Sequence, residues 1–114
     1  MNSNRHDEEH MKALAQRVVQ VASRVIAGEI GVIEGARELN QLGHEIADDF
    51  DADFMTFKAI DSETDHLPVG EVRRLWSRPA LLEKDREIRE AEDLHRRDGE
   101  EACRKLIRRY GAGG

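Results

Sequence analysis

The last third of the chain carries an apolar stripe that only a long α-helix keeps on one side. Its members recur at multiples of the helical period and stay in phase through the Asp98-Gly99 step. They are Leu81, Ile88, Ala91, His95, Gly99, Ala102, Leu106 and Tyr110. The stripe predicts one helix of about 30 residues, or two collinear helices hinged at Gly99, and a helix of that length needs partners to cover its apolar face.

Two further helical stripes precede it and supply such partners. The first predicts a helix over about residues 6–27, with Gly28 well placed to end it. The second, whose apolar members lie between Val32 and Ile46, predicts another helix. Because the connection is short, the two helices should form an antiparallel hairpin. Gly35 and Gly43 share one side of the second helix, where each glycine costs about 1 kcal/mol relative to alanine. Close approach of another helix to that side would explain them, and the alternative is that the helix merely tolerates these glycines.

Residues 50–60 fit two kinds of secondary structure. Phe50, Phe54 and Phe57 describe one helical face behind Asp51 as a possible N-cap, whereas the stretch FMTFKAI alone also suits a short strand. We predict a helix, because no other segment alternates as a partner strand would.

The predicted fold class is therefore all-α. We expect a compact bundle of four to five helices, with an N-terminal helical hairpin and a long C-terminal helix. Residues 1–114 form a single domain in this prediction, and residues 111–114 are a frayed tail.

The charge of the chain is unevenly distributed. The net charge is −6, and residues 45–65 hold eight acidic side chains against Lys58 alone. A negative field opposes binding to nucleic acid and to anionic membranes. It favours a basic partner protein, because clustered like charges repel one another unless something positive binds them. A solvated loop beside an acid-rich helix start is the alternative interpretation.

The residues predicted to bind the partner come from this acidic segment. They are Asp48, Asp49, Asp51, Asp53, Asp61, Glu63, Asp65 and His66. The last four belong to residues 59–72, AIDSETDHLPVGEV, which we interpret as an exposed acidic recognition loop.

Specific chemistries find little support in the sequence. Counted from Asp49 or from Asp61, the acidic segment lacks the glycine and glutamate that an EF-hand loop requires. His44 and His66, together with nearby carboxylates, are the best available metal ligands, but no H-E-x-x-H motif or second cysteine accompanies them. We predict no catalytic residues and no cofactor. The N-terminus lacks the apolar run of a signal peptide, so we expect a cytoplasmic protein.

The stretches FMTFKAIDSETDHLPVGEVRRLW and RPALLEKDREIREAE resemble segments of small bacterial proteins of no assigned activity. By size, helical pattern and acidic surface, the chain also resembles immunity proteins of bacterial contact-dependent toxin systems. This second resemblance implies a cytoplasmic inhibitor that caps a basic toxin nuclease, and it carries over no individual residue. Two alternatives stay open: a structural or regulatory protein that homodimerises through its long C-terminal helix, and a metal-dependent enzyme using His44 and His66.

Overall fold

Five helical elements follow one another along the chain. The structure is a computed structural model that describes the backbone of residues 2–111 and the side chains of residues 7–111. Its elements are α1 (Asn2–Ile26), α2 (Val32–Ile46), α3 (Ala52–Thr64), a 3₁₀ helix (Gly70–Leu75) and α4 (Arg78–Gly111). Residues 2–111 contain no strand, so the predicted all-α bundle is confirmed, including the helix over most of residues 50–60.

The long helix α4 sets the dimensions of the bundle. It continues unbroken through Gly99 for 34 residues, which corresponds to about 51 Å at the usual rise. The whole structure measures 55 × 28 × 25 Å. Of the predicted frayed tail, Gly111 is the last residue of α4, and residues 112–114 lie outside the described residues. No helix between residues 2 and 111 has both the length and the apolar composition needed to cross a membrane.

The helical hairpin predicted at the N-terminus is present. α1 begins at Asn2, four residues before the predicted start, and it ends at Ile26. Gly28 adopts a φ of +76°, and Glu29 donates its backbone N–H to the Arg24 carbonyl at 2.9 Å. This hydrogen bond belongs to a Schellman motif, which satisfies the last carbonyls of α1 and lets the chain reverse into α2.

The core is mainly aliphatic, and its helices approach one another at glycines. A Cβ at Gly35 would collide with Val25 of α1, and a Cβ at Gly43 would lie 2.6 Å from the Phe54 ring of α3. The expected close approach to this side of α2 is therefore present. The largest fully buried side chains are Val18, Val21, Ile33, Leu39, Phe57, Pro68, Cys103 and Leu106.

α4 uses a glycine in the same way. Gly99 is buried, and a Cβ there would collide with Val32 at the start of α2. A flexible side chain could move aside, but valine has one strongly preferred rotamer in a helix. Gly99 therefore permits the contact between α4 and α2.

A carboxylate of α4 caps the N-terminus of α2. Gly31 occupies the N-cap position and offers no side chain, so Glu92 accepts a hydrogen bond from the Val32 backbone N–H at 2.7 Å. A Cβ at Gly31 would collide with that carboxylate. A cap supplied from a distant helix satisfies one of the orphan donors of α2 and places a negative charge at its positive end.

Arg37 of α2 holds the segment that follows α3. Its guanidinium donates to the backbone carbonyls of Thr64 and Leu67, and the second of these hydrogen bonds is 2.7 Å long. Leu67 and Pro68 are buried. The polar backbone of the turn is thus satisfied while its apolar side chains join the core.

We predict that Gly99→Ala destabilises the fold by about 1–2 kcal/mol, since overpacking against Val32 outweighs the helix propensity that alanine gains. In a Val32→Ala background the same change should become neutral or stabilising, because the colliding methyl groups are gone. Urea denaturation of the wild type, both single variants and the double variant measures the coupling. Additive free energies of unfolding would contradict the proposed contact.

Candidate functional site

The connection between α2 and α3 forms a short acidic turn, which we call the α2–α3 corner (residues 47–51). Asp48 accepts a hydrogen bond from the Phe50 backbone N–H at 2.9 Å through its side chain. The side chain of Asp51 accepts from the Asp53 backbone N–H at 3.0 Å and caps α3. These two local bonds give the turn a defined shape. The predicted capping role of Asp51 is confirmed.

Phe50 projects from this corner into solvent. Its side chain is 85% exposed, and the expectation that it lies on one helical face with Phe54 and Phe57 is wrong. The reason is the cap: α3 begins after Asp51, and Phe50 therefore lies outside the helix and out of phase with the buried ring positions. Phe54 and Phe57 are both buried.

The acidic side chains of the corner differ in their surroundings. Asp48 and Asp49 are both exposed. Asp49 contacts the Nδ1 atom of His44 at 2.9 Å. Among the described side chains, neither carboxylate has an arginine or lysine within ion-pair distance. Their negative charge is therefore available to a partner.

Asp51 and Asp53, in contrast, form intramolecular ion pairs. Arg109, near the C-terminus of α4, lies 2.9 Å from a carboxylate oxygen of each. The hydrogen bond from Arg109 lowers the pKa of Asp51, and the same bond raises the pKa of Arg109. The guanidinium also stacks over the Tyr110 ring at 4.9 Å. These contacts fasten the end of α4 to the start of α3.

The other four predicted binding residues lie at the far end of α3. The helix continues to Thr64, so Asp61 and Glu63 belong to its last turns, and not to a loop as predicted. Asp61 contacts Arg37 at 3.6 Å and Asn40 at 3.0 Å. Glu63 lies 3.2 Å from a ring nitrogen of His95.

Asp65 and His66 follow α3 and are both exposed. His66 lies 3.3 Å from Glu87 of α4 and 3.9 Å from Asp65. Hydrogen bonds from Lys84 and His66 lower the pKa of Glu87. The His66 ring therefore faces α4, while the Asp65 carboxylate stays exposed.

The acidic segment 45–65 consequently forms two separate groups. Asp48, Asp49 and Asp51 belong to the α2–α3 corner and Asp53 to the first turn of α3. The second group lies in or just after the last turns of α3 and comprises Asp61, Glu63, Asp65 and His66. From Asp53 to Glu63 the helix rises about 15 Å. His44 belongs to the first group and His66 to the second, so these two histidines do not share one site. Within the described side chains, no three His, Cys, Asp or Glu residues are arranged to hold a metal ion.

Sequence reasoning missed the exposure of Phe50 and the partner of Asp51. The sequence does contain a signal for the exposure of Phe50, because an N-cap at Asp51 already places the preceding residue outside the helix. No signal in the sequence indicates the partner of Asp51, since Arg109 lies 58 residues away along the chain. Comparison of the chain with protein-family models, curated proteins and solved structures finds no match.

Because Asp51 both caps α3 and pairs with Arg109, we predict that Asp51→Ala lowers the free energy of unfolding by about 1–2 kcal/mol. Asp51→Asn should cost less than about 1 kcal/mol, because asparagine also caps helices. Asp49→Ala is the matched control in the same turn and should stay within about 0.5 kcal/mol. Urea denaturation gives all three values, and equal losses for Asp51→Ala and Asp49→Ala would contradict the capping role.

The ion pair should also make the corner sensitive to acid. Arg109 lowers the pKa of Asp51 from its ordinary value of 3.8. A carboxyl group with a lower pKa in the folded chain stabilises the fold above about pH 4, and this contribution disappears as the pH falls through the folded-state pKa. The stability difference between wild type and Asp51→Asn should therefore shrink when urea curves are recorded from about pH 7 down to about pH 3. A difference that is constant over this range would exclude the pair as its cause.

Proposed function

We propose that this chain is a protein-binding module whose α2–α3 corner docks on a basic surface of a partner protein. One observation carries the proposal: Phe50 is 85% exposed and stands between the exposed carboxylates of Asp48 and Asp49 and the N-cap of α3. Burying an aromatic side chain of this size stabilises a fold by about 1.5–3 kcal/mol, and at Phe50 the fold does not use that energy.

The chemistry of the corner suits recognition of a cationic surface. A well-anchored aromatic ring fills a pocket at the centre of an interface, where most of the binding energy arises. Carboxylates around it attract a basic partner and speed its encounter. The backbone of the turn is already held by side-chain hydrogen bonds, and the Arg109 pair fastens the start of α3. Little conformational entropy would then be lost on binding.

An inhibitor of the immunity type is the specific form of this function that we propose. A toxin nuclease binds the phosphate backbone through basic side chains, and those side chains would accept carboxylates in place of phosphates. The inhibitor would act in the cytoplasm, where the substrates of such a nuclease lie. Its negative net charge of −6 agrees with that role.

Capture of the partner tests the proposal directly. Tagged wild-type protein is incubated with an extract of its native cells at low salt and washed stepwise to about 0.5 M salt, which screens charge contacts. The Asp48→Asn/Asp49→Asn and Phe50→Ala variants are compared with matched controls at the other end of the molecule. Glu71→Gln/Glu83→Gln removes the same charge from exposed positions, and Leu82→Ala removes a side chain that is 70% exposed.

We expect a basic protein that the wild type and both controls retain and both corner variants lose. With the purified partner, the Asp48→Asn/Asp49→Asn variant should mainly slow association and weaken its salt dependence, whereas Phe50→Ala should mainly speed dissociation. Equal retention by the corner variants and the controls would refute a docking site at the corner.

A further inference from the structure

An open groove lies next to the α2–α3 corner at the same end of the bundle. It has a volume of about 600 Å³ and runs between the N-terminal turns of α1 and the C-terminal ends of α2 and α4. Met11 and Ala15 of α1, Ile46 of α2 and Tyr110 of α4 line it. Ile46 directly precedes the corner, and Arg109, which pairs with Asp51, lies at the groove's edge.

The groove exists because α1 extends beyond the core. Among the described side chains of α1, Leu14 is the first that is buried, and residues 7–13 are all exposed. Met11 is 40% exposed and faces the groove. α1 therefore forms one wall, and the ends of α2 and α4 form the other.

The charges around the groove favour a basic occupant. Asp7, Glu8 and Lys12 border it on α1. Arg109 borders it on α4, but its charge is matched by the carboxylates of Asp51 and Asp53. Among these described side chains, and with Asp48 and Asp49 on the adjoining corner, four carboxylates then stand against one remaining cation. A groove with apolar lining residues and mostly acidic residues near its edge is complementary to a helix that has one apolar and one basic face.

We propose that the groove binds a basic amphipathic helix of the partner that docks on the corner. Apolar side chains at helical spacing would lie on Met11, Ala15, Ile46 and Tyr110, and lysine or arginine side chains would reach Asp7, Glu8 and the corner carboxylates. This inference rests on the proposed function, since it assigns to the same partner a second point of contact beside Phe50.

A model peptide probes the groove without the natural partner. The ligand is a synthetic peptide of leucine and lysine with the leucines at helical spacing, and the control peptide has the same composition with leucine and lysine alternating. Each is titrated into isotope-labelled full-length protein while amide chemical shifts are recorded. We expect the helical peptide to shift residues 11–15, Ile46 and residues 109–111 in a saturable way. The alternating peptide should produce weak shifts that are spread over the acidic surface.

A pair of methionines provides the matched variants. Met11 and Met55 are 40% and 43% exposed, but only Met11 lines the groove, whereas Met55 lies on α3 near the corner. Glutamine has a similar size and favours helices, so both variants should fold. Met11→Gln should weaken peptide binding about fivefold or more, and Met55→Gln should change it less than about twofold.

Several results of the peptide experiment would overturn the inference. They are shifts that avoid the groove, equal binding of the two peptides, and no effect of Met11→Gln. Without peptide, the amide chemical shifts of the groove residues should not depend on protein concentration. If they do, the inference is also overturned, because a second copy of this chain would then occupy the groove. Failure of the groove is distinguishable from failure of the proposed function, because capture of the partner through Asp48, Asp49 and Phe50 is measured separately.

Discussion

Close contact between helices at glycine is the constraint on which the rest of the structure depends. The chain has only five aromatic residues, so its core is mainly aliphatic, and close packing of these side chains requires short distances between helix axes. Within the part of the chain that the structure describes, α2 takes part in three such contacts: Gly35 faces α1, Gly43 faces α3, and Val32 faces Gly99 of α4. α2 is therefore the central helix, and its ends determine where the neighbouring helices lie. The α2–α3 corner and the groove beside it both form at its C-terminal end.

Apolar periodicity was enough to predict the helices but could not predict their polar contacts. The stripe in α4 remained in phase through Gly99, and the structure shows one helix there because α4 packs on Val32 at that point. Long-range contacts were different. Glu92 caps a helix that begins 60 residues earlier in the chain, and no local pattern contains that information. The predicted start of α1 lies four residues too late, because the exposed side chains of residues 7–13 form no buried stripe near that end of the helix.

The acidic segment shows how a linear count of charge differs from a charged surface. Its eight acids all lie within residues 45–65, but α3 separates them into two groups. Several of them have basic or polar partners within the molecule. Asp51 and Asp53 pair with Arg109, and Asp61 contacts Arg37. Such pairs stabilise the bundle and reduce the field that a partner would experience. The sequence therefore overestimated how many of these carboxylates are free of basic partners, since the pairs form only when distant helices meet.

Cys103, the single cysteine of the chain, lies fully buried in α4 beside the core. Burial raises the pKa of its thiol to about 12, so almost no reactive thiolate exists at neutral pH. A thiol reagent can modify this residue only after the packing around α4 has opened. When reclosing is faster than the chemical step, the modification rate is proportional to the population of opened molecules. The native protein thus contains an internal reporter of its own local unfolding, and a ligand that holds α4 in place would slow the modification.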